Sequence, residues 1–179
     1  YRKAIQIKPD NADVHLNLGN ILKGLGKLQE AELSYRKAIE LDPHFADAHL
    51  NLGGILIDLG KLQEAEVSTR KAIELNPNSA IAYSNLGSIL SDLGKLQEAE
   101  LSTRKAIELS PNLAKAHSNL GSILRNLGKL QEAELSTRKA IELNPNNANA
   151  YLNLGIILHD LGKLEGAELS TRKAIELNP

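Results

Sequence analysis

The sequence predicts an all-α protein, an α-solenoid of repeated helix-turn-helix units. Three observations predict it. First, Asn-Leu-Gly opens at Asn17, Asn51, Asn85, Asn119 and Asn153, each 34 residues after the last, and Leu-Gly-Lys-Leu keeps the same beat from Leu25, Leu59, Leu93, Leu127 and Leu161. A fixed period of this size marks stacked supersecondary units rather than one closed core. Second, each period holds two apolar stripes at helical spacing. Third, a glycine separates the stripes and a proline closes the unit, and both residues stop helices.

Residues 80–113 serve as the reference unit. Ala82, Leu86, Ile89, Leu90 and Leu93 fall at i, i+4, i+7, i+8 and i+11, one stripe of a first helix. Gly94 ends that helix. Leu96, Ala99, Thr103, Ala106 and Ile107 form the stripe of a second helix, which Pro111 cannot continue and after which Asn112 suits a turn. Gly87 sits inside the first helix, where glycine costs about 1 kcal/mol relative to alanine. Its recurrence at Gly19, Gly53, Gly121 and Gly155 implies close approach of the paired helices, and Ala99 and Ala106 read the same way. Glu100 and Arg104 stand four apart in the favourable order, worth about 0.2–0.5 kcal/mol. The pair recurs from Glu32–Arg36 to Glu168–Arg172 and reads as a solvated structural device. Carried along the chain, the pattern gives the end of a preceding repeat at 1–11, then repeats at 12–45, 46–79, 80–113, 114–147 and 148–179.

Composition narrows the function classes. The formal net charge is −1, from 21 basic and 22 acidic residues. No nucleic-acid partner is expected, because phosphates call for a basic face. The same balance gives no reason to expect an acidic membrane surface as a partner, and no apolar run is long enough to span a bilayer. The absence of cysteine rules out disulfides, thiolate metal sites and a cysteine nucleophile. A cytoplasmic location is the default expectation.

The Leu86-Gly87 pair, Gly94, Ala99, Ala106 and Pro111 resemble the marks of the tetratricopeptide repeat family, and they recur along essentially the whole chain. The chain departs from the family's habits at Leu90, Leu96 and Thr103, where aromatics are frequent, and in alternating His15, His49, Tyr83, His117 and Tyr151 where tryptophan or tyrosine is frequent. The resemblance implies a right-handed superhelix with first helices lining a concave groove able to hold an extended peptide or a helix. The RNA-binding pentatricopeptide family fits less well, having typically a longer period and needing a basic groove.

The first helix has a second stripe, opposite the apolar one, and most variation between units falls on it or in the inter-unit turns. One residue on it never changes, the asparagine of Asn-Leu-Gly. A primary amide both donates and accepts, so it can hold a peptide backbone without reading side chains. Helices packed at about 8–10 Å, beside a chain rising about 3.3 Å per residue, would give one asparagine per three peptide residues. The ladder Asn17, Asn51, Asn85, Asn119 and Asn153 is similar to that of the repeat domains of O-linked N-acetylglucosamine transferases, where such asparagines hold extended peptides. The alternative is that each amide bonds an adjacent helix. Beside the ladder stand Asn20, Leu50, Ile57, Ser84, Ser88, Ser118, Ser122, Arg125, Leu152 and Ile156, completing the expected peptide-binding set, with apolar anchors in the second and fifth units and a small polar centre. The carboxylate clamp of chaperone-binding repeats needs a lysine where Leu16 stands, so chaperone tails are not expected ligands.

No catalytic residues, metal site or cofactor is expected. His15, His49 and His117 read as spacers rather than a metal ladder, and His159 with Asp160 lacks a third partner. The Gly-Lys pairs lack the spacing of a phosphate loop. Leu33, Val67, Leu101, Leu135 and Leu169 fall on the outer side of the second helices, covered by Arg and Lys stems or forming a second association surface. No polar capping helix follows α-helical residues such as Ala174 and Ile175, so Leu164, Ala167, Ala174 and Ile175 are expected to present apolar surface, and end-to-end homo-association is expected. The expected function is a non-catalytic scaffold that binds a protein or peptide. The alternatives are the substrate-targeting arm of a larger enzyme such as a glycosyltransferase, and a self-assembling structural solenoid.

Overall fold

The computed structural model describes residues 10–178, and among them it holds ten α-helices and no strand. In chain order they are α1 Ala12–Gly24, α2 Leu28–Leu41, α3 Ala46–Asp58, α4 Leu62–Leu75, α5 Ala80–Asp92, α6 Leu96–Leu109, α7 Ala114–Asn126, α8 Leu130–Leu143, α9 Ala148–Asp160 and α10 Leu164–Leu177. Odd-numbered helices are the first helices of the repeats and even-numbered ones the second. The predicted all-α class of helix-turn-helix repeats is therefore the observed one. The reading of Tyr1–Ile7 as part of an earlier second helix lies outside the described residues.

Local chemistry sets the helix ends. Gly60 and Gly128 have φ of 73° and 75°, in the left-handed region that favours glycine. The next residue then bonds back five positions, Lys61 N to Leu56 O at 2.8 Å and Lys129 N to Leu124 O at 2.9 Å. The glycines themselves bond Ile57 O and Arg125 O. This paired return satisfies carbonyls that a helix end leaves orphaned. At three first-helix starts a side-chain oxygen accepts a backbone N–H: Asn11 from Val14, Ser79 from Ala82 and Asn147 from Ala150. In the proline turns, Asp42, Asn76 and Asn144 each accept from the backbone N–H two residues on.

Contacts divide the chain into two compact units, one running through Leu93 and the other starting at Gly94. In the first, Leu22, Ala31, Tyr35, Leu52, Ile55, Leu56, Ala65 and Ile89 form one buried cluster. In the second, Ile157 joins Leu120, Leu124 and Ala133, and Leu154 and Leu158 pack with Ala167. Ile55, Ile89 and Ile157 thus each enter the core of the repeat before their own. Burying such a side chain stabilises by about 1.5–3 kcal/mol. The stripe glycines are explained by what faces them. A Cβ on Gly53 or Gly121 would overlap Thr69 Oγ1 or Thr137 Oγ1, and one on Gly19 would enter the Tyr35 ring.

The Glu–Arg pairs are more than a solvated device. Their glutamates are nearly buried: Glu32, Glu66, Glu100 and Glu134 have side chains only 10–14% exposed. Three of them also take a lysine from the following repeat. Lys61 reaches Glu32 at 2.9 Å, Lys129 reaches Glu100 at 2.7 Å and Lys163 reaches Glu134 at 2.6 Å. Arg36 and Arg104 extend onward to Glu64 and Glu132 of the next repeat. The network clamps consecutive second helices together. Hydrogen bonds from the lysines, outweighing burial, hold the carboxyls of Glu32, Glu100 and Glu134 below the usual glutamate range.

Candidate functional site

In the first unit the first-helix stripe is carried by α1, α3 and α5. Asn17 and Asn20 are exposed, and Leu50, Asn51, Ile57 and Ser88 are half-buried. Ile57 packs against the core cluster. Ser84 and Asn85 are buried, at 1% and 8% exposed. Asn20 is a junction rather than a free amide. Its Oδ1 accepts from Asn51 Nδ2 at 3.0 Å and from the hydroxyl of buried Tyr35 at 2.9 Å, linking α1, α2 and α3. Tyr35 replaces the threonine that later repeats carry at Thr69, Thr103, Thr137 and Thr171, and burial pushes its hydroxyl pKa up.

In the second unit, α7 and α9 and the turn between α8 and α9 enclose a cleft of about 500 Å³. Six of the expected residues line it: Ser118, Asn119, Ser122, Leu152, Asn153 and Ile156. Arg125 is half-buried on the same helix one turn on, outside the lining. Asn153 Nδ2 donates to Ser122 Oγ, and Ser122 Oγ in turn donates to Ser118 O at 3.3 Å. The structure adds Lys115, Asn144, Asn147 and Asn149 to the lining. Lys115 and Asn149 lie on the varying stripe of the first helices, and the signal for Asn144 and Asn147 was the asparagine-rich turn Asn144-Pro145-Asn146-Asn147, which no other repeat matches in full. Leu152 and Ile156 are the exposed apolar wall. The lining holds no carboxylate and one cation, so the cleft is an amide-rich surface beside an apolar one.

The ladder asparagines therefore divide. Asn51 and Asn153 each donate to the first helix of the preceding repeat, the structural alternative, and keep the remaining amide atoms for other partners. The spacer histidines take local bonds: His49 Nε2–H donates to Pro43 O at 3.1 Å and His117 Nε2–H to Pro111 O at 2.8 Å. His159 Nδ1 lies 3.6 Å from Asp160 Oδ1 in an exposed pair. Leu33, Val67, Leu101, Leu135 and Leu169 stand out at about 70% exposed each. Among the described residues, no helix is long and apolar enough to cross a membrane.

Comparison with known proteins agrees with this architecture. A tetratricopeptide repeat family model matches residues 12–45, 46–79 and 114–147, and a second model of the same description matches residues 69–100 and 137–168. No curated protein matches the sequence. Among solved structures, YrrB, described as a TPR protein with an unusual peptide-binding site, is 29% identical with a TM-score of 0.74, over 99% of this chain and 92% of its own. MamA is 28% identical with a TM-score of 0.75, over 89% of this chain and 93% of its own. PilF of Pseudomonas aeruginosa, 24% identical with a TM-score of 0.83 over 94% of this chain and 77% of its own, shares the fold.

Proposed function

Since this chain belongs to the tetratricopeptide repeat family, we propose that it is a non-catalytic scaffold that holds an extended peptide on its first-helix face, with the cleft between α7 and α9 as the principal seat. The observation that carries this reading is the makeup of that cleft. Its volume of about 500 Å³ falls within the range of ligand pockets. Asn119, Asn149 and Asn153 bring amide groups that can pair with a peptide backbone, and Leu152 and Ile156 supply an apolar wall for a side chain of the ligand. YrrB, with its peptide-binding site, lends support from a relative of nearly equal length. The amides of Asn51 and Asn153 serve twice in this reading, bracing adjacent first helices while presenting their remaining polar atoms. Asn85, being buried, is not part of the contact surface.

The test is selection of binders from a random peptide library on the intact chain, followed by titration of the selected peptides. Selected peptides should carry an apolar residue. Leu152→Ser with Ile156→Ser, and separately Asn119→Ala, should each weaken binding about tenfold or more, in keeping with loss of a central contact. The same titration with Asn17→Ala should change little. Unchanged affinity in the α7 and α9 variants, with helical content intact by circular dichroism, would overturn the proposal.

A further inference from the structure

Among the described first helices, α7 alone carries no carboxylate. Asp13 lies in α1, Asp47 and Asp58 in α3, Asp92 in α5 and Asp160 in α9, whereas α7 holds Lys115 and Arg125. This local excess of positive charge stands against a formal net charge of −1 for the chain. Lys115 lines the cleft between α7 and α9, whose lining is also free of carboxylates.

Arg125 differs from every other described arginine. Arg36, Arg70, Arg104, Arg138 and Arg172 each pair with the glutamate four residues earlier. The residue at that distance before Arg125 is Gly121. Among the described residues the Arg125 guanidinium meets no carboxylate, and it donates only to Asn126 Oδ1 at 3.4 Å. The repeat pattern offers a partner that Arg125 does not take. Lys23, its counterpart in α1, reaches Asp58 of α3 at 3.6 Å. Asp160 is the counterpart of Asp58, but it lies 3.6 Å from His159 Nδ1 instead. A guanidinium stays charged at any physiological pH, and its planar fork fits a carboxylate through two parallel hydrogen bonds.

We propose that the ligand held on this face is a peptide with a carboxylate that seats on Arg125. The inference rests on the cleft between α7 and α9 being the peptide's seat. The amides there hold any peptide backbone, and Arg125 adds a choice of sequence. Arg125 follows Ser122, a lining residue, by three positions, about 4.5 Å along the helix at 1.5 Å per residue. An extended chain rises about 3.3 Å per residue, so the carboxylate falls within about three residues of the apolar residue that meets Leu152 and Ile156. It belongs to an aspartate or glutamate side chain or to the chain end, which present the same two oxygens. Lys115 adds positive potential within the cleft, which favours the approach of an acidic segment.

Peptides selected on the intact chain from a random library test this. They should carry aspartate, glutamate or a free C-terminus near the apolar residue. Arg125→Gln should weaken them about tenfold, the scale of a hydrogen bond to a charged group. Converting the peptide's acid to its amide should cost the same with the wild-type chain and add little to the loss in Arg125→Gln. Separate peptides with the side-chain acid or the C-terminus amidated tell the two sources apart. Selection on Arg125→Glu should favour lysine or arginine in that place. Circular dichroism checks that each variant keeps its helices. Leu152→Ser with Ile156→Ser reports independently on the seat. Peptides that weaken in that variant but carry no acid, ignore Arg125→Gln, or lose as much on amidation in Arg125→Gln as in wild type would overturn this inference and leave the cleft as the seat. Peptides indifferent to both the wall and Arg125, or a library that yields no binder, would overturn both.

Discussion

Gly121 and Thr137 face each other across the α7–α8 pair. A Cβ on the glycine would overlap Thr137 Oγ1 and stand 3.3 Å from the Ala133 carbonyl. Alanine normally gains about 1 kcal/mol over glycine inside a helix. Here the overlap decides the sign, and Gly121→Ala is expected to cost about 1–3 kcal/mol, the range for an overpacked core. Adding Thr137→Ala should recover part of that loss, which urea unfolding of the two variants measures. Spacing alone could say that these glycines mark close approach. It could not say what approaches, because the partner lies sixteen residues away on another helix. Tyr35 makes the point in reverse. Its ring fills the space beside Gly19 and its hydroxyl reaches Asn20, yet in the sequence it stands at an ordinary second-helix position.

Helices and turns were the most legible level. Apolar spacing, glycine after the first helix and proline after the second place every described helix, and the buried residues Ala82, Leu86, Ile89 and Leu90 fall on the stripe read from the spacing. The exception within the repeats is α10, where Gly166 stands at the position of Glu64, Glu98 and Glu132. Arg138 therefore lacks the onward glutamate that Arg36 and Arg104 find, and its side chain is 55% exposed against 44% and 47% for theirs. Gly166→Glu should supply that partner and remove a helix-interior glycine. A Cβ there would lie 3.2 Å from Leu158 Cδ1, the end of a side chain that can shift. The expected gain is about 0.5–1.5 kcal/mol, the sum of propensity and one exposed ion pair, seen as a melting temperature raised by a few degrees. The cleft was legible in part. Its α7 and α9 residues followed from the varying stripe, whereas Asn144 and Asn147 join it only because the turn folds against the helices.

At the scale of the whole molecule, the near balance of charge conceals an ordered arrangement. Glu32, Glu100 and Glu134, spread over both units, each hold a lysine across a repeat junction, and each carboxyl titrates below the usual range. A group whose folded pKa is lowered stabilises the folded state fully above its unfolded value, near 4.3 for glutamate by common reference (about that figure in peptides). That contribution is lost as pH falls through the lower folded value. Stability is therefore expected to hold from neutral pH down to the ordinary glutamate range and to drop below it. Melting curves across acid pH check this, and Glu100→Gln should flatten the drop while lowering stability at neutral pH. A wild-type profile equally steep in the variant would deny the network its role.

The sequence by itself determined the helical repeat, the sites of its turns and the stripe that differs between units, because these depend on contacts within a few residues of one another and recur with the period. Tertiary structure alone decided which polar groups are spent. Asn51 and Asn153 donate to residues 31 positions earlier, and Lys61 and Lys163 reach glutamates 29 positions earlier. Asn85 is buried while Asn17, on the same beat, is exposed. Identical letters meet different surroundings once repeats stack, and a hydrogen bond or a salt bridge depends on those surroundings.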